Sequence, residues 1–177
     1  LLFKAFKKKI FQKSNNPILL IGSTNLLKAQ MKSLKYSIKI NNIENIKSHN
    51  FNLKKNLINI INVNYNFKKS FTEISDRSNL YINNCFKTAL KLLKKKSAVG
   101  LINGPISKTH FLKKKHLGIT EYLSNKTKTK TKPTMLIYNP NFSVCPITTH
   151  LPINQVSKKL NKRKIINDVI NINNFYK

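Results

Sequence analysis

Short apolar runs alternate with helically spaced apolar stripes along most of this chain. A continuous apolar run at residues 18–22, an alternating run at 36–40 and apolar-rich segments at 57–63 and 98–102 are typical of strands. The segments between them place apolar residues three and four positions apart, which predicts amphipathic helices. Strands that alternate with helices predict an α/β domain built on a parallel sheet.

The clearest predicted helix opens at Asp76-Arg77-Ser78 and ends at Lys94-Lys95-Lys96, where cations complement the helix dipole. Its apolar stripe comprises Ile82, Cys85, Phe86, Ala89, Leu90 and Leu93. Further helices are predicted at residues 1–13, 23–34, 106–118 and 120–125, from Pro152 onward, and at 164–177. Residues 134–138 and 142–147 are predicted to form a strand pair.

The charge of the chain allows two interpretations. Its 34 Lys and Arg against five Asp and Glu give a net charge of +29, which suits a protein that binds RNA or another polyanion. Only Arg77 and Arg163, however, carry the planar guanidinium that suits phosphates and base edges. Because Lys is spread through a chain rich in Asn and Ile, the pattern favours drift in an AT-rich coding sequence. Such a chain should adsorb weakly to polyanions, and this adsorption should fade as the salt concentration rises.

Length, cysteine content and the extent of the apolar runs limit what kind of protein this chain can be. A chain of 177 residues that does not begin with Met suggests a piece of a larger protein. Cys85 and Cys145 are far apart, which argues against a zinc site or a disulfide framework and favours a reducing, cytoplasmic location. No apolar run approaches the length of about 20 residues needed to cross a bilayer, so no membrane association is expected.

Three polar clusters lie where predicted strands meet helices, the places at which open α/β sheets bind ligands. Gly104-Pro105 predicts a tight turn, from which Lys108 could reach an anion. Thr120 opens a helix whose N–H groups suit a phosphate, and His150 could bind a metal or carry a proton. Taken singly, each cluster also has an ordinary structural explanation: a turn with a solvent-exposed lysine, a helix cap and a structural histidine.

The order and spacing of these clusters resemble the 4-hydroxythreonine-4-phosphate dehydrogenase family. The motifs that carry the resemblance are Gly104-Pro105-x-x-Lys108, Gly118-Ile119-Thr120-Glu121 and Thr148-Thr149-His150-x-Pro152. The resemblance implies a three-layer α/β/α fold related to isocitrate and isopropylmalate dehydrogenases. It also implies that residues 1–177 are a partial dehydrogenase chain, the front-to-middle portion, without the N-terminal Gly-rich segment and the C-terminal half.

The resemblance implies an activity and roles for particular residues. The family oxidises 4-phosphooxy-threonine with NAD, and the product loses carbon dioxide, in pyridoxal 5'-phosphate biosynthesis. A divalent metal ion (zinc, magnesium or cobalt) held by three His polarises the substrate oxygen, and the enzyme is a homodimer with sites shared between subunits. By resemblance, His150 would be a metal ligand, Thr120 and Lys108 would bind the substrate, and Gly104 and Pro105 would shape the adjacent wall. The piece alone is expected to be inactive.

Three positions depart from the family pattern. Ile119 stands where the family has His, Asn103 replaces a small hydroxyl residue, and Pro146 removes a backbone donor before Thr148. One His cannot hold a catalytic metal, and the other three histidines have no ligand spacing, so the remaining ligands are expected from outside this chain. Two alternatives stay open: a basic RNA-binding protein, and a non-catalytic relative, which Ile119 favours.

Overall fold

Two compact units make up the chain: the N-terminal unit (Leu1–Lys115) and the C-terminal unit (His116–Lys177). They come from a computed structural model that describes residues 2–7, 17–44, 51–113, 115–116, 118–128 and 132–177. The three strands of the sheet all belong to the N-terminal unit.

The strands of the N-terminal unit are β1 (Leu19–Gly22), β2 (Ile40–Asn42) and β3 (Ile58–Asn62). They are parallel and lie in the order β1-β3-β2, so β3 is the central strand. In register, Ile60 of β3 faces Leu20 of β1, and Asn59 faces Asn41 of β2. Parallel strands need long crossover connections, and a helix supplies the one after β1. The predicted α/β class with a parallel sheet is confirmed.

The described helices lie in segments where the sequence predicts helices. They are α1 (Leu2–Lys7), α2 (Thr24–Ser33), a 3-10 helix (Asp76–Ser78), α3 (Asn79–Lys94), α4 (Lys108–Leu112), α5 (Ile119–Thr127), α6 (Ile153–Lys159) and α7 (Lys162–Tyr176). The helices predicted from Ser23, from Asp76, at 120–125, from Pro152 and at 164–177 are confirmed as α2, α3, α5, α6 and α7. No described helix is long and apolar enough to span a membrane.

Two of the predicted helices differ from the structure in extent or fall partly outside it. The helix predicted at 106–118 ends at Leu112, because Lys113 adopts a left-handed conformation with φ of 48°. Beyond Lys7, the helix predicted over residues 1–13 lies outside the described residues.

Two hydrophobic clusters cover the two faces of the sheet, because side chains on β3 alternate between faces. Ile58 and Ile60 pack with residues of α1 and α2. Ile61, on the opposite face, packs with Leu92 of α3. All three isoleucines are at most 1% exposed. Helices on both faces of a parallel sheet give the three-layer α/β/α arrangement that the family resemblance implies.

The strand predicted at residues 98–102 is not formed, and that prediction was wrong. Val99 and Ile102 are 97% and 90% exposed, and no described strand pairs with the segment. An apolar run becomes a strand only when a neighbouring strand takes up its N–H and C=O groups. The apolar pattern shows that a segment can be buried, but it does not supply the partner.

The strand predicted at 36–40 is displaced toward the C-terminus. β2 begins only at Ile40 and continues to Asn42. Tyr36 and Ile38 pack instead against the cluster that contains α1 and α2. The alternation at 36–40 therefore reflects packing onto the core before the chain enters the sheet.

The strand pair predicted at 134–138 and 142–147 is reduced to one antiparallel bridge between Ile137 and Val144. The two backbone hydrogen bonds of this bridge measure 2.8 and 3.0 Å. Proline has no backbone N–H to donate to a neighbouring strand, and this segment contains Pro133, Pro140 and Pro146. The two segments pair where the sequence predicts, but the pairing is shorter than predicted. We refer to residues 132–146 as the hairpin.

Candidate functional site

Lys108 opens α4, in the N-terminal unit. The Ser107 hydroxyl caps this helix by accepting a hydrogen bond from the His110 backbone N–H at 3.4 Å. Phe111 fixes α4 against α3, with its ring centroid 5.9 Å from that of Phe86, and both rings are buried. Lys108 itself is exposed, so an anion in solvent can reach it.

An ion-pair cluster joins the end of α4 to the start of α3. Lys113 donates to Asp76 Oδ2 at 2.7 Å, and His110 Nδ1 lies 3.1 Å from Asp76 Oδ1. The hydrogen bond from Lys113, followed by that from His110, lowers the pKa of Asp76 below its ordinary value of 3.8. Asp76 is 53% exposed, so solvent screens the cluster and its contribution to stability is small. His110 is thus engaged in a surface structural contact.

Asn79 carries an unsatisfied polar atom beside α4. Its Nδ2 donates to the His110 carbonyl at 2.8 Å. Its Oδ1 is buried and accepts no hydrogen bond within the described residues. A buried acceptor left without a donor costs about 1–3 kcal/mol. The start of α3 therefore retains capacity for one more donor.

Thr120 lies in the first turn of α5, in the C-terminal unit, and it is exposed. Gly118 is the N-cap residue of α5 and offers no side-chain cap to the first-turn N–H groups. Such N–H groups, together with the positive end of the helix dipole, suit a phosphate. Ile119 precedes Thr120 and brings no polar group to this position.

Glu121 turns back toward Gly118. A Cβ atom on Gly118 would lie 2.9 Å from Glu121 Oε2, so the glycine makes room for the carboxylate. A negative charge in the first turn complements the helix dipole, which supports the interpretation of Glu121 as part of a helix cap. The same carboxylate would repel a phosphate at this helix start, so a phosphate there requires basic neighbours.

Tyr122 anchors α5 within the C-terminal unit. Its ring is buried and meets the His116 ring edge-on, with centroids 5.6 Å apart. Lys126 Nζ lies 5.6 Å from the same ring, a cation–π distance. Burial raises the pKa of the Tyr122 hydroxyl. His116 is therefore a packing partner of the aromatic anchor.

His150 has a left-handed backbone, with φ of 57°. For a residue with a side chain this conformation costs about 1–2 kcal/mol, and such strain is often retained at functional sites. The residue is exposed and lies just before Pro152, the N-cap of α6. The imidazole of His150 is therefore accessible from solvent, and its role as a ligand stays a prediction.

The described residues do not complete a metal site. The described part of the chain holds no group of three or more His, Cys, Asp or Glu side chains that could bind one metal ion. Catalytic zinc sites usually have three protein ligands. His150 can therefore supply one ligand at most, and the expectation that the others lie outside this chain stays a prediction.

The predicted site residues belong to both units. Lys108, with the exposed Gly104 and Pro105 before it, lies in the N-terminal unit. Thr120 and His150 lie in the C-terminal unit. Their convergence on one pocket, and the substrate and metal roles assigned by resemblance, stay predictions.

The sequence analysis missed a polar cluster at the carboxyl edge of the sheet. Thr24, at the start of α2, donates its hydroxyl to Asn42 Oδ1 (2.9 Å) and its N–H to Asn62 Oδ1 (3.0 Å). The Ser23 N–H donates to the hydroxyl of Tyr81, and burial raises the pKa of Tyr81 to about 12. The asparagines that end β2 and β3 were the available signal. Because these groups satisfy one another, they lock α2 onto the sheet.

A second feature missed by the sequence analysis is the buried carboxylate of Asp168, which is 4% exposed. It accepts hydrogen bonds from the Thr134 hydroxyl (2.8 Å) and the Lys164 ammonium (2.7 Å), and Asn171 donates to Thr134 Oγ1 (2.9 Å). Burial alone would raise the pKa of Asp168, but the hydrogen bonds from Lys164 and Thr134 outweigh it and lower the pKa. The Lys164–Asp168 spacing on one helix face was the signal in the sequence. We call these four residues the Asp168 network.

Known proteins resemble this chain in both sequence and structure. Residues 13–177 match the family described as pyridoxal phosphate biosynthetic protein PdxA. The 4-hydroxythreonine-4-phosphate dehydrogenase of Sulfurihydrogenibium sp. (strain YO3AOP1) is 32% identical over 181 residues, which cover 100% of this chain and 53% of that protein. A crystal structure of 4-hydroxythreonine-4-phosphate dehydrogenase from Klebsiella pneumoniae is 19% identical with a TM-score of 0.76, covering 97% of this chain and 53% of that one.

These similarities agree with the motifs and with the fold. The structural likeness shows that the α/β/α architecture is shared, and the sequence match extends through α4, α5 and His150. The chain spans about half the length of the relative and of the solved structure that it matches. On this basis, the chain belongs to the pyridoxal phosphate biosynthetic protein PdxA family.

Proposed function

We propose that this chain forms part of an NAD-dependent 4-hydroxythreonine-4-phosphate dehydrogenase, which oxidises 4-phosphooxy-threonine in pyridoxal 5'-phosphate biosynthesis. The observation that carries the proposal is the family match over residues 13–177. A relative of that name aligned along the whole chain supports it. Because the chain spans about half of that relative, we assign the full reaction to the complete enzyme, a cytoplasmic homodimer.

The substrate phosphate is proposed to bind at the start of α5. The Thr120 hydroxyl and the first-turn N–H groups would donate hydrogen bonds to the phosphate oxygens. Glu121 opposes an anion there, so the proposal requires a cation, and Lys108 is the residue that the family resemblance assigns. The net charge of +29 adds a long-range field that attracts an anionic substrate.

His150 is proposed to supply one ligand to a divalent metal ion. The support is its position in the Thr148-Thr149-His150 motif and its exposure to solvent. The remaining metal ligands and the NAD contacts are proposed to come from the part of the enzyme that this chain does not match.

Two substitutions test His150 while separating chemistry from folding. The protein is expressed from its natural reading frame, and NADH formation from 4-phosphooxy-threonine is measured with magnesium, zinc or cobalt. His150→Gly relieves the left-handed strain and His150→Asn tolerates it, so neither should unfold the protein. Both should lower metal-dependent NADH formation by about a hundredfold or more, because a metal ligand is lost.

His116→Asn is the matched control, because His116 packs on Tyr122 and has no proposed ligand role. It should keep its activity and its metal dependence. Unchanged turnover in both His150 variants would refute the role of His150 alone. Absence of NADH formation with every metal in the unmodified protein would refute the proposed function and favour the non-catalytic relative.

A further inference from the structure

Asn103 is the only asparagine in the sequence that directly precedes a glycine. It lies in the segment between α3 and α4, where residues 98–107 form neither helix nor strand. Asn103, Gly104 and Pro105 are all exposed. A backbone without helical or strand hydrogen bonds opens at little cost in free energy, so this dipeptide can change its conformation more freely than the asparagines in helices and strands.

The side chain of Asn103 folds forward along the chain. Its Nδ2 donates a hydrogen bond to the Gly104 carbonyl at 3.1 Å, so the side-chain amide lies beside the backbone of Gly104. Within the described part of the chain, the Gly104 N–H donates no hydrogen bond. The Gly104 nitrogen and the Asn103 amide carbon can therefore react without the loss of a backbone hydrogen bond.

The fold does not require a glycine at position 104. A Cβ atom built on Gly104 meets no heavy atom within 4 Å, and its backbone is not left-handed. The missing side chain matters for reactivity instead. A Cβ atom next to the nitrogen would hinder its approach to the Asn103 amide carbon, and glycine has none.

We propose that Asn103 is a site of spontaneous deamidation. Hydroxide removes the proton of the Gly104 N–H, and the nitrogen forms a bond to Asn103 Cγ. The bond from Cγ to Nδ2 breaks, and ammonia leaves after taking a proton from water. Water then adds to either carbonyl carbon of the cyclic imide, the bond from that carbon to nitrogen breaks, and the nitrogen regains its proton. The products are aspartate and isoaspartate at residue 103, and no atom is oxidised or reduced.

The charge of the chain favours the first step of this reaction. A net charge of +29 creates a positive field, which stabilises the anionic nitrogen. The product carries a negative charge that Asn103 lacks, and isoaspartate also adds a carbon atom to the backbone before α4. The proposal concerns the covalent chemistry of the chain and does not depend on the proposed activity.

Incubation in water enriched in the heavy oxygen isotope tests the proposal in the protein expressed from its natural reading frame. Each conversion incorporates a heavy oxygen atom, which peptide mass spectrometry detects, and digestion in ordinary water excludes conversion after the incubation. We expect residue 103 to be converted about tenfold or more faster than exposed asparagines that precede an aromatic residue. Those internal references are Asn64, Asn66 and Asn141, which also lie outside helices and strands.

The chemical form of the product tests the cyclic imide. Isoaspartate should form alongside aspartate, and a carboxyl methyltransferase specific for isoaspartate detects it. The rate should rise with pH, because hydroxide removes the proton of the attacking nitrogen.

Gly104→Ala is the matched variant, because it keeps the amide of Asn103 and the open space accommodates its methyl group. It should slow the conversion by about tenfold or more. Asn103→Ser removes the amide and should incorporate no heavy oxygen at this position. Four results would overturn the proposal: conversion no faster than at the internal references, an unchanged rate in Gly104→Ala, aspartate without isoaspartate, or conversion only in urea, which would show that the folded protein protects the site.

Discussion

Asp168 is one of five acidic residues in a chain with 34 basic ones, and the fold buries it. A buried carboxylate is stable only when donors compensate for its lost hydration, and Thr134 and Lys164 do so here. These contacts hold α7 to the hairpin, together with the contact between the Tyr138 and Tyr176 rings. At the scale of single residues, the contact between α7 and the hairpin therefore depends in part on one charged network.

Asp168→Asn tests this dependence. Hydrogen bonds to a charged group contribute about 1.5–3 kcal/mol, so the change should reduce protection of the α7 amides from hydrogen exchange. The pKa of Asp168 is lower in the folded chain than its ordinary value of 3.8, so the unfolded chain binds a proton more readily. Its contribution is therefore complete well above that value and is lost as the pH falls through the lowered pKa.

The measurement compares protection factors for α7, in the protein expressed from its natural reading frame, at neutral pH and below pH 3.8. The difference between the unmodified protein and Asp168→Asn should be large at neutral pH and should shrink in acid. Asn167→Ala, an exposed change on the same helix, should stay within about 0.5 kcal/mol at both pH values. If the difference in protection between the two proteins stays the same in acid, the charge of Asp168 does not stabilise α7.

At the scale of elements, the sequence predicted the helices, because a helix cap and an apolar stripe involve residues that are close together in the chain. Ser23 precedes α2 and accepts a hydrogen bond from Leu26 N–H as its cap, and the stripe of α3 buries Phe86 and Ala89. Strands depend on partners that are distant in sequence. The run at 98–102 has the composition of a buried strand but no described neighbour, which no local pattern could reveal.

A pair of identical substitutions tests the corrected assignment of that run. Ile61→Ala removes buried side-chain volume from the central strand and should lower the free energy of unfolding of the 177-residue chain by about 2–5 kcal/mol. Ile102→Ala makes the same change at a position that is 90% exposed, so it should stay within about 0.5 kcal/mol. Urea unfolding measures both. A comparable loss of unfolding free energy in Ile102→Ala would show that Ile102 is buried, as the predicted strand requires.

At the scale of the whole molecule, sequence motifs identified a family that the fold and the relatives support. The convergence of Lys108, Thr120 and His150 on one site stays a prediction, because it depends on how distant segments come together. The net charge is similarly ambiguous, because Lys-rich composition arises both from selection for polyanions and from coding bias. The sequence carried a signal for the Asp168 network and for the polar cluster at the sheet edge, but their distant partners Thr134 and Thr24 became visible only through tertiary contacts.

The most direct test of the account is a crystal structure of the protein, expressed from its natural reading frame, with a divalent metal ion and 4-phosphooxy-threonine bound. We predict the phosphate at the start of α5, with Thr120 and Lys108 donating to it, and the metal ion coordinated by the His150 imidazole. A phosphate bound away from α5, or a metal site complete without His150, would contradict the account.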